Sequence, residues 1–223
     1  MISYTLNSDN MELAALVVSL LILIYSAILH EIAHGLVADR LGDPTARLMG
    51  RLTLNPIPHI DPVMSILLPL VLLLTGSPVI FGAAKPVPVD PFNLRDGRKD
   101  MALVSLAGPA TNFLIAIIAA LLFKLLFFKF LDVQITLAAA WFLITVVKLN
   151  LLLGIFNLIP LPPLDGSKIF ALILPEKEAA AYLSIGTIGI FIIFFLLAFP
   201  IGGFSLGNII GNLLMFGEKL LGL

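Results

Sequence analysis

The residues best suited to chemistry in this chain are two histidines that flank a glutamate. His30 and His34 are four positions apart, and Glu31 follows the first of them. In a helix, positions i and i+4 lie on one face, so the two imidazoles can bind one Zn²⁺ ion. The glutamate between them can then exchange a proton with a metal-activated water. The alternatives are a chance pattern or polar side chains that snorkel at a helix end, but ionisable residues in an apolar segment mark a functional site by default.

A catalytic zinc usually has three protein ligands, so a third residue must come from elsewhere in the chain. The candidates are Asp165 and His59. Asp165 lies in a proline-rich break between apolar segments, where irregular backbone is tolerated only inside protein or beside a water-filled cavity. His59 lies in a loop between prolines, where a surface role is more common. We favour Asp165, and we keep open that it also acts as the N-cap of a short helix that begins near Ser167.

The composition indicates a membrane protein that positions these residues on apolar helices. Of the 223 residues, 60% are hydrophobic and 12% are charged, and the mean hydropathy is +1.10. A soluble domain has about 25% charged residues, so a soluble globule and a disordered chain are both excluded. The net charge of −1 gives no basic surface for nucleic acid, and the lack of cysteine excludes thiol chemistry and cysteine-bound metals.

The apolar runs predict an all-α polytopic membrane protein with about five or six membrane helices in one domain, residues 1–223. The core covers 12–175, and the C-terminal helices cover 179–223. Short extended strands are expected near the active site, over 45–59 and 84–89. The predicted segments are 12–38, 62–82, 101–128, 134–159, a short helix at about 167–174, 179–199, and 204–223, which either spans or lies at the interface.

Residues 62–82 are expected to form a re-entrant segment. If His30 and Asp165 bind the same zinc ion, they must lie next to each other. Two membrane crossings between them put both residues on one face of the membrane. Three crossings would leave them about 30 Å apart. The alternative is a full span, with the ligands meeting near mid-membrane through bent helices. Basic residues are absent from 1–11 and frequent between 40 and 99, which predicts that the active site faces the cytoplasm.

His30-Glu31-x-x-His34, followed by Asn157 and Leu164-Asp165-Gly166 in a hydrophobic chain, resembles the site-2 protease family of intramembrane zinc metalloproteases. The run Gly108-Pro109-Ala110-Thr111-Asn112 is similar to a family feature at the start of the helix between the metal motifs. The run Asn55-Pro56-x-Pro58-His59-Ile60-Asp61-Pro62 resembles a compact prokaryotic subgroup without a PDZ insert. The resemblance covers about residues 20–175.

The resemblance implies one zinc per chain, held by His30, His34 and Asp165, with Glu31 as the catalytic acid and base. It implies that Asn157 donates to the substrate carbonyl or oxyanion. Asn112 either contacts substrate or forms hydrogen bonds across helices. The implied activity is hydrolysis of a peptide bond within or near the transmembrane segment of a membrane-protein substrate, in regulated intramembrane proteolysis.

The implied location is the plasma membrane of a prokaryote, and association into homo-oligomers stays open. Two other functions remain. One is a non-catalytic membrane scaffold or chaperone that kept the zinc site, although a pure binder would not need Glu31. The other is a small transporter with a structural metal, for which no inverted repeat is evident.

Overall fold

The computed structural model describes residues 8–67, 70–71, 74, 84–127, 133–186, 188–203 and 205–223. These residues are mostly helical and include no strand. In chain order, the α-helices of the described residues are α1 (Ser8–Leu41), α2 (Thr45–Leu48), α3 (Gly97–Phe127), α4 (Val133–Asn157), α5 (Asp165–Phe170), α6 (Glu176–Leu183), α7 (Ile188–Ala198) and α8 (Leu206–Leu220).

Three of these helices are long and apolar enough to cross a membrane: Asn10–Leu41, Gly97–Leu126 and Leu137–Asn157. A fourth span is present if α6 and α7, which meet at 73°, count as one broken span. The described residues therefore give three or four spans where five or six were expected. The predicted re-entrant segment at 62–82 lies largely outside the described residues, apart from a π-helical turn at Pro62–Leu67 and the helical residues 70, 71 and 74.

The core forms where α3 packs against both α1 and α4. Small residues of α3 (Ala116, Ala119 and Ala120) face Val147 and Leu151 of α4, and all five are buried. Small residues let helix backbones approach closely, which is the main source of packing energy between apolar helices in lipid. His30 contacts Asn112 and His34 contacts Val104, so α3 is antiparallel to α1. Asn112 contacts Asn150, and Met101 lines the same cavity as Asn157, so α3 is also antiparallel to α4.

The strand expected over 45–59 does not form. The chain makes the helix α2 at Thr45–Leu48 and a 3₁₀ turn at Ile57–His59 instead. Pro56 and Pro58 have no N–H to donate to a sheet, which disfavours pairing there. Residues 84–90 have no regular secondary structure, so the second predicted strand is also absent.

Individual polar contacts hold these loops together. The buried Asp43 carboxylate accepts hydrogen bonds from the backbone N–H of Asp90 (2.7 Å), the Asn93 side-chain amide (3.0 Å), and the N–H (3.1 Å) and hydroxyl of Thr45. The buried Arg51 guanidinium donates to the carbonyl groups of Lys85 (2.7 Å) and Pro86 (3.2 Å). These contacts fix the 84–90 segment beside the end of α1.

Candidate metal centre

Three potential metal ligands meet where α1, α3 and α5 converge. The Asp165 Oδ2 atom lies 3.1 Å from His30 Nε2 and 3.2 Å from His34 Nε2. All three residues are buried, and their potential ligand atoms lie within 4.8 Å of one another. The structure therefore brings together the two histidines of α1 and the aspartate that lies 131 positions after His34 in the sequence.

Helix α3 orients both imidazole rings. His34 Nδ1 donates to the backbone carbonyl of Val104 at 2.6 Å, and His30 Nδ1 donates to Asn112 Oδ1 at 2.6 Å. With both Nδ1 atoms engaged in this way, both Nε2 atoms face Asp165. A metal-binding histidine commonly donates its other ring N–H to an oxygen atom of this kind.

Gly108 of α3 provides the space in which the two rings meet. A Cβ atom at this position would lie 2.5 Å from His30 Nε2, His30 Cε1 and His34 Nε2. Any larger residue would therefore push into the atoms that face Asp165. Gly108, which belongs to the Gly108–Asn112 run noted in the sequence, thus forms a cradle for the histidines.

The donor set fits zinc. Two imidazole nitrogens and one carboxylate oxygen are ordinary zinc ligands, and tetrahedral ligand atoms about 2 Å from zinc lie about 3.3 Å apart. The 3.1 and 3.2 Å separations are close to that value. A cavity of about 300 Å³ opens beside the three residues and leaves room for a fourth ligand. The buried hydroxyl of Ser105 lines this cavity and has no hydrogen-bond partner among the described residues.

Glu31 also lines the cavity but lies outside the ligand cluster. Its Oε2 atom accepts a hydrogen bond from the backbone N–H of Val87 at 2.7 Å. The 84–90 segment therefore holds the carboxylate in place at the edge of the cavity.

Asp165 is the first residue of α5, and Leu164 occupies the N-cap position. The alternative that Asp165 caps a helix starting near Ser167 is therefore not realised. Lys168, one turn later, places Nζ 3.5 Å from Asp165 Oδ1 and lines the same cavity.

The other predicted site residues occupy different positions. Asn157 lines the cavity, and its amide donates to the carbonyl of Leu153 at 3.0 Å. Asn112 is fully buried and forms hydrogen bonds across helices with His30 and with Asn150. His59 is buried away from the cluster and donates from Nε2 to the Thr53 carbonyl at 2.9 Å.

Sequence reasoning did not assign Val87, Ser105 or Lys168 to the site. Lys168 could have been found, because it lies one helical turn after Asp165 and so shares its face. Ser105 bears the same relation to Gly108, but an isolated serine on an apolar helix is a weak signal. Val87 contributes only its backbone N–H, which leaves no signature in the sequence.

Comparisons with known proteins give a consistent result. The sequence pattern of peptidase family M50 matches residues 129–199, which include Asp165. A Bacillus subtilis protein named "Putative zinc metalloprotease YwhC" is 37% identical over 186 residues, which cover 82% of this chain and 81% of that protein. A Mycobacterium tuberculosis protein with the same description, named Rip2, is 34% identical over 141 residues, or 63% of this chain and 51% of that protein. The chain thus spans about half the length of the mycobacterial relative. No solved structure matches the chain described here.

Proposed function

The chain belongs to peptidase family M50 and is a zinc metalloprotease, and we propose that it hydrolyses a peptide bond within or near the transmembrane segment of membrane-protein substrates. One observation carries the proposal. A buried His–His–Asp cluster and a glutamate share a cavity at the end of helices that are long and apolar enough to span a membrane. A protease with its site among such helices is reached by membrane-protein substrates that diffuse within the bilayer.

In this proposal, His30 Nε2, His34 Nε2 and Asp165 Oδ2 would hold one zinc ion. When bound, zinc supplies Lewis acidity that activates water and polarises the scissile carbonyl. The hydrogen bonds from His30 to Asn112 and from His34 to Val104 would leave both Nε2 lone pairs free for the ion.

Glu31 is the proton carrier. Its carboxylate takes a proton from the attacking water as the new carbon–oxygen bond forms at the scissile carbonyl. It then delivers that proton to the amine nitrogen as the carbon–nitrogen bond breaks. The Val87 hydrogen bond engages Oε2, so the second carboxylate oxygen is the one we assign to the water.

Asn157 is the group that we propose contacts the substrate. It is the last residue of α4 and lines the cavity together with His30, Glu31 and His34. An amide here can donate to the substrate carbonyl or to the developing oxyanion. Its present bond to Leu153 would be exchanged for that contact.

The size of the cavity limits the form of the substrate. A helix with its side chains is about 10 Å across, and a segment of several turns does not fit in about 300 Å³. The substrate must therefore unwind locally, so that an extended peptide reaches Glu31 and the cluster. We propose a single-pass membrane protein as the substrate and regulated intramembrane proteolysis as the process.

We further propose that the protein lies in the plasma membrane of a prokaryote with the cavity toward the cytoplasm. The connection from α1 to α3 and the first turn of α3 carry basic residues (Arg47, Arg51, Lys85, Arg95, Arg98 and Lys99), whereas residues 1–11 carry none. Basic loops favour the cytoplasmic side.

The test uses the purified full chain in detergent with zinc and a fluorescent transmembrane peptide. Cleavage should stop when a chelator removes zinc and resume when zinc is restored. Glu31→Gln should keep its zinc and lose about 10²- to 10⁴-fold in rate. Glu12→Gln, an exposed glutamate on the same helix, should behave as wild type. Zinc binding without any cleavage would support the scaffold alternative, and Glu31→Gln turnover above a tenth of wild type would overturn the assigned role.

A further inference from the structure

A chain of buried polar side chains connects three helices to one of the metal-cluster histidines. Ser26 and His30 lie on α1, Asn112 on α3 and Asn150 on α4. Asn150 Nδ2 donates to Ser26 Oγ at 2.9 Å, Asn112 Nδ2 donates to Asn150 Oδ1 at 2.9 Å, and His30 Nδ1 donates to Asn112 Oδ1 at 2.6 Å. Both asparagines are completely buried.

The hydrogen bonds in this series can be donated in only one direction. That direction is set at the end of the series that lies farthest from the metal cluster. The Val146 carbonyl can only accept, so the amide nitrogen of Asn150 must face it at 2.9 Å and also reaches Ser26 Oγ, and the Asn150 carbonyl oxygen therefore faces Asn112. Asn112 must then offer its amide nitrogen to Asn150 and its carbonyl oxygen to His30. Because a carbonyl oxygen only accepts, the proton of a neutral His30 ring must reside on Nδ1.

We propose that Ser26, Asn150 and Asn112 are positioning residues that fix the tautomer and orientation of His30, so that its Nε2 lone pair faces the metal. The inference rests on the proposed zinc ligation by His30. It assigns a function in metal affinity to Asn150 and Ser26, whose side-chain hydrogen bonds lead to His30 through Asn112.

The alternative is that the two asparagines only hold α3 and α4 together, as polar side chains between membrane helices often do. The two roles differ in what happens when Asn150 is lost. Without the Asn150 oxygen, the Asn112 amide nitrogen loses its partner in the protein interior. Rotation of the Asn112 amide would then present N–H to His30 Nδ1 and favour the tautomer that carries its proton on Nε2, which opposes metal binding.

An aspartate at position 112 distinguishes the two roles. Either oxygen of its carboxylate can accept the hydrogen bond from His30 Nδ1, so rotation of the side chain does not change the favoured tautomer. The experiment compares Asn150→Leu in the wild-type background and in the Asn112→Asp background, using purified full chain and a chelator that competes for zinc. Asn150→Leu alone should weaken zinc binding about 10- to 100-fold. In the Asn112→Asp background, the same change should alter zinc affinity by less than about twofold.

Val147→Ala is the matched control for packing. Val147 is fully buried on α4, belongs to the core between α3 and α4, and takes no part in the polar chain. This variant should unfold at a lower temperature and keep wild-type zinc affinity. The absorption spectrum of Co²⁺ bound in place of zinc gives a second readout, which should change with Asn150→Leu and stay unchanged with Val147→Ala.

Equal losses of zinc affinity in both backgrounds would overturn the proposal in favour of helix packing, and so would unchanged affinity in Asn150→Leu. If Asn150→Leu does not yield folded protein, Asn150→Ala is compared with Asn150→Asp, which keeps an acceptor for Asn112 and should keep zinc. The ligation on which the inference rests is tested separately, because His30→Ala with wild-type zinc affinity would refute the proposed metal site itself.

Discussion

At the scale of single residues, the choice of the third zinc ligand has direct consequences. Asp165 lies 3.1 and 3.2 Å from the two histidine Nε2 atoms, whereas His59 bonds to the Thr53 carbonyl outside the cluster. Asp165→Ala should therefore bind zinc weakly or not at all, and His59→Ala should keep about one zinc per chain. Metal analysis of the two purified variants checks this, and the opposite pattern would exchange the roles of the two residues.

Gly108 gives a second prediction at this scale. In Gly108→Ala the new methyl group would lie 2.5 Å from both histidine Nε2 atoms, so the rings must shift. Overpacking of this kind costs about 1–3 kcal/mol, which would weaken zinc binding about 5- to 150-fold. Gly211→Ala on α8, where a Cβ meets nothing within 4 Å, is the control and should bind zinc as wild type does. Normal affinity in Gly108→Ala would show that the cradle is not needed.

At the scale of elements, the turn between α1 and α2 is fixed by a charged hydrogen-bond acceptor. Burial favours the neutral form of Asp43, but hydrogen bonds from Thr45, Asn93 and Asp90 outweigh it and lower the pKa of this carboxyl. A group whose pKa is lower in the folded state adds stability above its unfolded pKa of about 4. That stability is lost as the pH falls through the folded pKa.

We therefore expect Asp43→Ala to lower the free energy of unfolding by at least about 2 kcal/mol at neutral pH. We also expect a weaker pH dependence of this variant's stability below pH of about 4 than wild type shows. Asp39→Ala breaks a more exposed ion pair with Arg47 and should cost less than about 1 kcal/mol. Thermal unfolding in detergent across the acid range measures both effects, and parallel pH profiles for wild type and Asp43→Ala would contradict the account.

The elements also show how far sequence reasoning reaches. The pairing of His30 with His34 follows from helical spacing, and the proline-rich break before Asp165 marked that residue as the expected third ligand. The strand over 45–59 was wrong, because the side chains of Asp43 and Arg51 hold the loops by contacts that no local pattern encodes. The Ser26–Asn150 bond joins residues 124 positions apart, so neither periodicity nor a motif could reveal it.

At the scale of the whole molecule, the antiparallel packing of α1, α3 and α4 constrains the topology. The chain leaves α1 and enters α3 on the same side, and α4 returns to that side before Asp165. Both ends of the 42–96 connection therefore lie near the metal cluster. This arrangement is the one that His30, His34 and Asp165 need in order to bind the same metal ion.

Labelling of single cysteines tests this topology, since the chain has no cysteine of its own. Met49 and Phe92 are 63% and 96% exposed, which makes them better positions than the buried Arg51. In intact cells, Met49→Cys and Phe92→Cys should both resist an impermeant thiol reagent until the membrane is opened. Asn10→Cys, an exposed position at the opposite end of α1, should react at once. Reaction of only one of the first two would place the ends of the 42–96 connection on opposite sides.

The most direct test of the central claim is the position of the cut bond. The purified chain with zinc is reconstituted in liposomes with single-pass peptides whose apolar segments carry helix-weakening residues, and the fragments are weighed by mass spectrometry. The account predicts new termini inside or at the edge of the apolar segment, and none with Glu31→Gln. Cuts confined to the soluble flanks of the peptides, or equal cleavage by Glu31→Gln, would contradict it.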